Sequence, residues 1–154
     1  MGVEHVIEGD AGLEEAERLG ISLDLIAETF AHPALADWNG FGLAVQAYQK
    51  RAPAVIDWLA EQAKTHRKSW CVRLVKGAYW DAEIKKAQVE GHSGYPVFTR
   101  KPNTDVSYLA CAKRLFDHGP LFYPQFATHN AHTIAAIFHL AEQRPFEFQR
   151  LHGM

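Results

Sequence analysis

Short apolar runs of strand length alternate with longer segments of helical period along this chain, and that alternation narrows the possible folds more than any single motif. The runs fall at residues 3–7, 41–48, 70–77, 121–128 and 146–151. Between them, residues 13–31 place Leu19, Leu23, Ile26 and Phe30 on one stripe of a helix. A second helix starts near Pro53 and buries Val55, Ile56, Leu59, Ala60 and Ala63. Residues 80–90 form a third, and Thr104 caps a fourth that carries Val106, Leu109, Ala110 and Leu115. Asn130 caps a fifth, with Ile134, Ile137, Phe138 and Ala141 inward. Pro124 inside the fourth run removes a ladder donor and weakens that strand assignment.

Strands separated by helices imply a parallel sheet with helical crossovers. Two α/β architectures satisfy this: an open doubly wound sheet and an arc of a (β/α)8 TIM-like barrel. No GxGxxG or GxxxxGK[ST] follows a strand, so neither phosphate-loop fingerprint of the open folds is present. Reading each strand at period two puts Gly42, Ala44 and Gln46 on one face and Leu43, Val45 and Ala47 on the other. The same reading groups Cys71, Arg73 and Val75 against Val72, Leu74 and Lys76. It groups Glu147, Gln149 and Leu151 against Phe146, Phe148 and Arg150. Polar side chains near the C-terminal ends of successive parallel strands mark the mouth of a barrel, where such folds build their sites. A closed barrel needs roughly 200 residues or more. With 154 residues, and a last strand close to the C-terminus, the expectation is one incomplete barrel domain over residues 1–154.

Composition excludes several classes. A formal charge of −2 gives no electrostatic reason for a nucleic-acid or anionic-membrane partner. No apolar stretch reaches the roughly 20 residues of a membrane span, and no signal-peptide pattern opens the chain. Cys71 and Cys111 sit in apolar runs, which suits buried free thiols in a reducing cytoplasm.

Arg73 and Lys76 could hold an anion or the negative charge of a reduced cofactor; the plainer alternative pairs Arg73 with a carboxylate such as Glu147 and lets Lys76 reach outward. Gly77 permits close backbone approach to a ligand, or serves a turn. Thr128, His129 and Asn130 lie where a strand meets a helix N-terminus, a ready anion site, although Asn130 alone reads as a cap. His129 and His132 are close in sequence, but the strand-to-helix switch between them spoils a metal geometry, and no metal is expected. Tyr48, Tyr79 and Trp80 could wall a flat ligand or pack on helices, packing being favoured. Arg100 and Lys101 read as solvated charges.

The segments WNGFGLAVQAYQKRAP (38–53), RLVKGAYWDAEIKKAQ (73–88), GYPVFTRK (94–101), TDVSYLACAKRL (104–115), YPQFATHNAHT (123–133) and FEFQRLHGM (146–154) resemble the proline dehydrogenase domain of the bifunctional proline utilization A family. The resemblance implies a distorted (β/α)8 barrel that holds FAD at the C-terminal ends of its strands. It implies oxidation of L-proline to 1-pyrroline-5-carboxylate by hydride transfer to the flavin, with electrons passed to a quinone. By position it assigns Gln46, Arg73, Val75, Gly77, Trp80, Arg100, Lys101, Thr128, His129, Asn130 and Gln149 to the cofactor. Arg73 falls beside the reactive end of the flavin, Tyr79 and Leu151 line the proline pocket, and Asp10 matches an active-site aspartate. Around Asp10 the wording VIEGDAGLEE is two residues longer than the family pattern, and the stretch between Leu140 and Phe146 is shorter. The family's first strands, with a lysine near proline, and its arginine-bearing C-terminal helix have no counterpart here. The implied setting is a larger cytoplasmic enzyme with an aldehyde dehydrogenase domain, peripheral membrane association for the quinone step, and possible self-association through an open sheet edge. On the residues alone, a non-catalytic barrel fragment and an unrelated phosphate- or metal-using barrel remain the alternatives.

Overall fold

In the computed structural model the described residues are 19–150. The expected first strand, the start of the first helix, Asp10 and Leu151 lie outside them. The order is α1 (Leu19–Ala31), β1 (Gly42–Gln46), α2 (Ala52–His66), β2 (Trp70–Val75), α3 (Trp80–Val89), α4 (Lys101–Asp117), β3 (Phe122–Ala127), α5 (Ala131–Ala141) and β4 (Glu147–Gln149). The four strands are parallel and lie in sequence order, β1-β2-β3-β4. This is the arc of a (β/α) barrel with helical crossovers, and it is not closed among the described residues.

The register decides which side chains share a face. Gly42 pairs with Cys71, Ala44 with Arg73 and Gln46 with Val75. Cys71 pairs in turn with Tyr123, Arg73 with Gln125, and Gln125 with Glu147. Side chains at paired positions of parallel strands leave the sheet on the same side. One face therefore carries Ala44, Arg73, Gln125 and Glu147 in a single row. The other carries Leu43, Val45, Trp70, Val72, Leu74, Phe122 and Phe126, all in the hydrophobic core against the helices.

Trp70 anchors that core. It is fully buried, stacks on Phe30 with ring centroids 3.7 Å apart, and its Nε1 donates to Leu59 O at 3.0 Å. Its burial thus costs no unsatisfied donor. On α2, Val55, Ile56, Leu59, Ala60 and Ala63 are buried as the spacing predicts, and Pro53 sits in the first turn. Lys68 is also buried, its Nζ donating to Phe30 O at 2.8 Å and lying 4.3 Å from the Phe30 ring centroid. Desolvation holds its pKa below the ordinary lysine value.

Three expectations need correction. Thr104 does not cap α4: the helix begins at Lys101 with Pro102 in its first turn, and Thr104 is buried inside it. A proline preset for the first turn starts the helix earlier than the hydroxyl does. Within α4 the inward stripe is Thr104, Ser107, Tyr108, Cys111, Ala112, Leu115 and Phe116, whereas Val106 and Ala110 face solvent. Phe138 of α5 is 60% exposed and meets Phe146 and Phe148 edge-on at the rim of the core. Pro124, by contrast, is accommodated within β3. The ladder to β4 begins one residue later, at Gln125, so the missing donor falls below the start of β4. No described helix is long and apolar enough to cross a membrane.

Candidate functional site

All four strands run the same way, so their C-terminal ends lie along one edge of the sheet. That edge gathers Gln46 from β1, Val75 at the end of β2 with Lys76 and Gly77 after it, Thr128 to Asn130 after β3 and Gln149 on β4. The first two strand ends are tied together. Ala47 N donates to Val75 O and Tyr48 N to Lys76 O, both at 2.8 Å. Gln46 Oε1 accepts from Ala78 N at 3.4 Å, so the loop after β2 folds over the end of β1.

Gly77 makes that fold possible. Its φ is +136°, and a Cβ there would lie 2.4 Å from the Tyr48 ring. The close approach that its glycine permits is thus to an aromatic ring of the protein's own core, since Tyr48 is only 2% exposed. Beyond Gly77, Tyr79 and Trp80 are 50% and 40% exposed. Tyr48 packs, as favoured from sequence; Tyr79 and Trp80 present open ring surface at the edge.

The 96–101 segment completes this end of the site. Phe98 N donates to Tyr48 O at 2.8 Å, Lys50 N to Pro96 O at 2.9 Å, and Trp80 Nε1 to Phe98 O at 2.9 Å. Together these elements bound an open cavity of about 360 Å3, lined by Tyr48, Lys76, Gly77, Trp80, Lys101 and Asp105 among others. Lys76 does not simply reach outward. Its ammonium and that of Lys101 both bind the carboxylate of Asp105, the latter at 2.6 Å, and these two hydrogen bonds hold the Asp105 carboxyl below the usual aspartate range. Asp105 had no signal in a strand-by-strand reading, because its role comes from lying on α4 opposite the end of β2. Arg100 stands exposed at the cap position of α4.

At the end of β3 the Asn130 side chain accepts from Thr133 N at 2.9 Å and caps α5. Thr128 Oγ1 accepts from Asn130 N at 3.1 Å. Both polar side chains thus shape the turn, and His129 between them is exposed. The first turn of α5 offers backbone N–H groups and a positive helix end to an anion.

The concave face below this edge is polar in a specific way. Arg73 is half-buried, and among the described residues no carboxylate lies within ion-pairing distance of it. The alternative pairing with Glu147 is not made. Glu147 instead accepts from Gln149 Nε2 at 2.7 Å and from Tyr123 Oη at 3.4 Å. Gln125, between them in the row, is 4% exposed, and its Oε1 is enclosed without a hydrogen-bond partner. Sequence reasoning passed over Gln125, although it carries the signal that marked Gln46 and Gln149: an amide on an apolar strand. The site is thus a sheet edge with a cation unpaired among the described residues, three inward amides, open aromatic surface and a helix N-terminus. Such a set suits an extended anionic ligand with a flat ring system.

Comparison with known proteins agrees with the barrel-arc fold. The family described as "Proline dehydrogenase" matches residues 7–154. Bifunctional protein PutA of Salmonella typhimurium is 62% identical over 145 residues, covering 92% of this chain and 11% of the relative. The PutA of Rhizobium meliloti is 51% identical over 150 residues, covering 92% of this chain and 12% of the relative. A crystal structure of a Bradyrhizobium japonicum proline utilization A variant superposes with a TM-score of 0.89 at 60% identity, over 92% of this chain and 15% of that one. The chain therefore spans about a tenth of the length of the curated relatives it matches.

Proposed function

Because this chain belongs to the proline dehydrogenase family, we propose that it supplies the flavin-holding arc of an enzyme that oxidises L-proline to 1-pyrroline-5-carboxylate. The observation that carries the reading is Arg73: a half-buried cation on the concave sheet face, unpaired among the described residues, with Gln125 beside it on β3. A half-buried cation with no carboxylate beside it keeps its charge available to a ligand. FAD, when bound, supplies the two-electron acceptor for the hydride that leaves the substrate.

The remaining roles belong to the chain itself. Arg73 provides fixed positive charge towards which a ring gaining electrons is favoured. Gln46 and Gln149 offer amides at the two outer strands, while Val75 and Gly77 shape the backbone between them. The first-turn amides of α5, with Thr128, His129 and Asn130, suit the phosphates. Trp80, Arg100 and Lys101 flank the cavity at the other end of the edge and suit the rest of the dinucleotide. Tyr79 walls the substrate side, and Asp10 and Leu151 join it as proposed proline-pocket residues. With such a group held here, proline would lose a hydride and an N–H proton to become the imine, and a quinone would take the electrons in the end. A larger parent with an aldehyde dehydrogenase domain, cytoplasmic with peripheral membrane contact, fits this role.

A chimera tests it. Residues of this chain replace the matching segment of the Salmonella typhimurium relative, and proline-dependent dye reduction is measured with and without Arg73→Met. Activity that falls at least roughly a hundredfold in the variant supports the reading, a loss of the size expected when one preorganised electrostatic contact goes. Equal activity in both removes Arg73 from the site.

A further inference from the structure

We propose that Gln125 is a positioning residue for Arg73, a neutral acceptor that orients the guanidinium and leaves its charge intact. The inference deepens the flavin-site reading and rests on it. Arg73 and Gln125 are paired positions of adjacent parallel strands, so both side chains leave the concave face side by side. Gln125 is 4% exposed, and its Oε1 is enclosed without a partner. A buried acceptor left unpaired is a standing penalty, and native structures resolve it with a donor. The side chain at the adjoining register position that carries several N–H donors is Arg73; the two are not hydrogen-bonded in this structure, and a turn of the guanidinium towards Gln125 would complete the pair.

The identity of the acceptor matters. A carboxylate at the same place would also orient the guanidinium, but it would cancel the positive charge that the site needs. Glu147 is the next residue in the row, paired with Gln125. It lies two strands from Arg73, roughly 10 Å at the usual strand spacing. Its oxygens are occupied by Gln149 Nε2 on the same strand at 2.7 Å and by Tyr123 Oη on β3 at 3.4 Å. Cation, neutral amide and tethered carboxylate thus stand in order across three strands. The amide keeps the opposite charges apart while holding the cation's direction.

The test uses the same chimera, loaded with FAD. The dissociation constant of FAD is measured by flavin fluorescence for the parent, Gln125→Met, Arg73→Met and the double variant. If Gln125 acts through Arg73, Gln125→Met weakens binding about tenfold in the parent and less than about twofold when Arg73 is already gone, the signature of coupled residues. Equal weakening in both backgrounds means that Gln125 acts on the ligand directly and overturns the proposal, as does no effect in either. Gln125→Glu, nearly identical in shape, provides a second readout. Partial neutralisation of Arg73 is expected to lower the two-electron midpoint potential by about 30 mV, a tenfold change in the reduction equilibrium. An unchanged or raised potential contradicts the charge-sparing role. A parent chimera that holds no flavin at all removes the underlying site reading, and this proposal with it.

Discussion

Gly77 lies against the ring of Tyr48 so closely that a single added carbon would sit 2.4 Å from the ring's Cγ. That contact lets the loop after β2 cross the end of β1, where Ala78 N reaches Gln46 Oε1. Gly77→Ala is expected to destabilise the protein by roughly 1–3 kcal/mol from backbone strain alone, because φ of +136° suits only glycine. Displacement of Tyr48 adds to this. Denaturant midpoints measure the effect. If the ring contact is part of the cost, Tyr48→Ala and Gly77→Ala combine to less than the sum of their separate losses.

Asp105 binds two lysines, Lys76 from the end of β2 and Lys101 from the start of α4. Its carboxyl is held below 3.8 in the folded protein and returns to that value on unfolding. The stabilisation is therefore complete above pH 3.8 and is lost as the pH falls below it towards the folded value. Asp105→Asn is expected to flatten that part of the acid limb in a stability-against-pH curve, whereas an unchanged limb would mean that the bridge contributes nothing.

Cys111 and Tyr108 predict the alkaline side. Burial pushes the Cys111 thiol from 9.0 up to about 11, and raises Tyr108 well above the ordinary tyrosine value. The unfolded chain loses these protons first, so stability is fully present below pH 9 and falls as the pH rises from 9 to about 11. In Cys111→Ala the decline across that window is expected to be shallower, with the later loss from Tyr108 retained.

Asn130→Ala removes the cap of α5 and is expected to cost about 1 kcal/mol. Since the same turn is proposed to receive phosphates, FAD affinity is expected to fall as well. Asn130→Asp keeps an acceptor for Thr133 N and is expected to restore stability while adding a negative charge where an anion binds. Stability rescued with affinity still reduced separates the two roles.

Much of the fold was legible because strand and helix periods differ and each element here keeps one of them. Val55, Ile56, Leu59, Ala60 and Ala63 of α2 are buried as read. In α4 the phase was ambiguous, since Val106 and Ala110 lie a fraction of a turn from the true stripe of Tyr108, Cys111 and Leu115. Only the sheet beneath the helix decides between them. Within the site, the polar residues of each strand were visible one strand at a time. The register that aligns Arg73, Gln125 and Glu147 is a tertiary fact, and so is the meeting of Asp105 with Lys76. Period-two reading shows which residues share a face, while pairing shows which ones meet.

If this polar edge holds a flavin that proline can reduce, the visible spectrum of the FAD-loaded chimera shows it. The spectrum is recorded under anaerobic conditions, before and after L-proline is added. Bleaching of the oxidised flavin bands by proline, abolished or greatly slowed in Arg73→Met, is the predicted result. A bound flavin that stays oxidised in excess proline would contradict it.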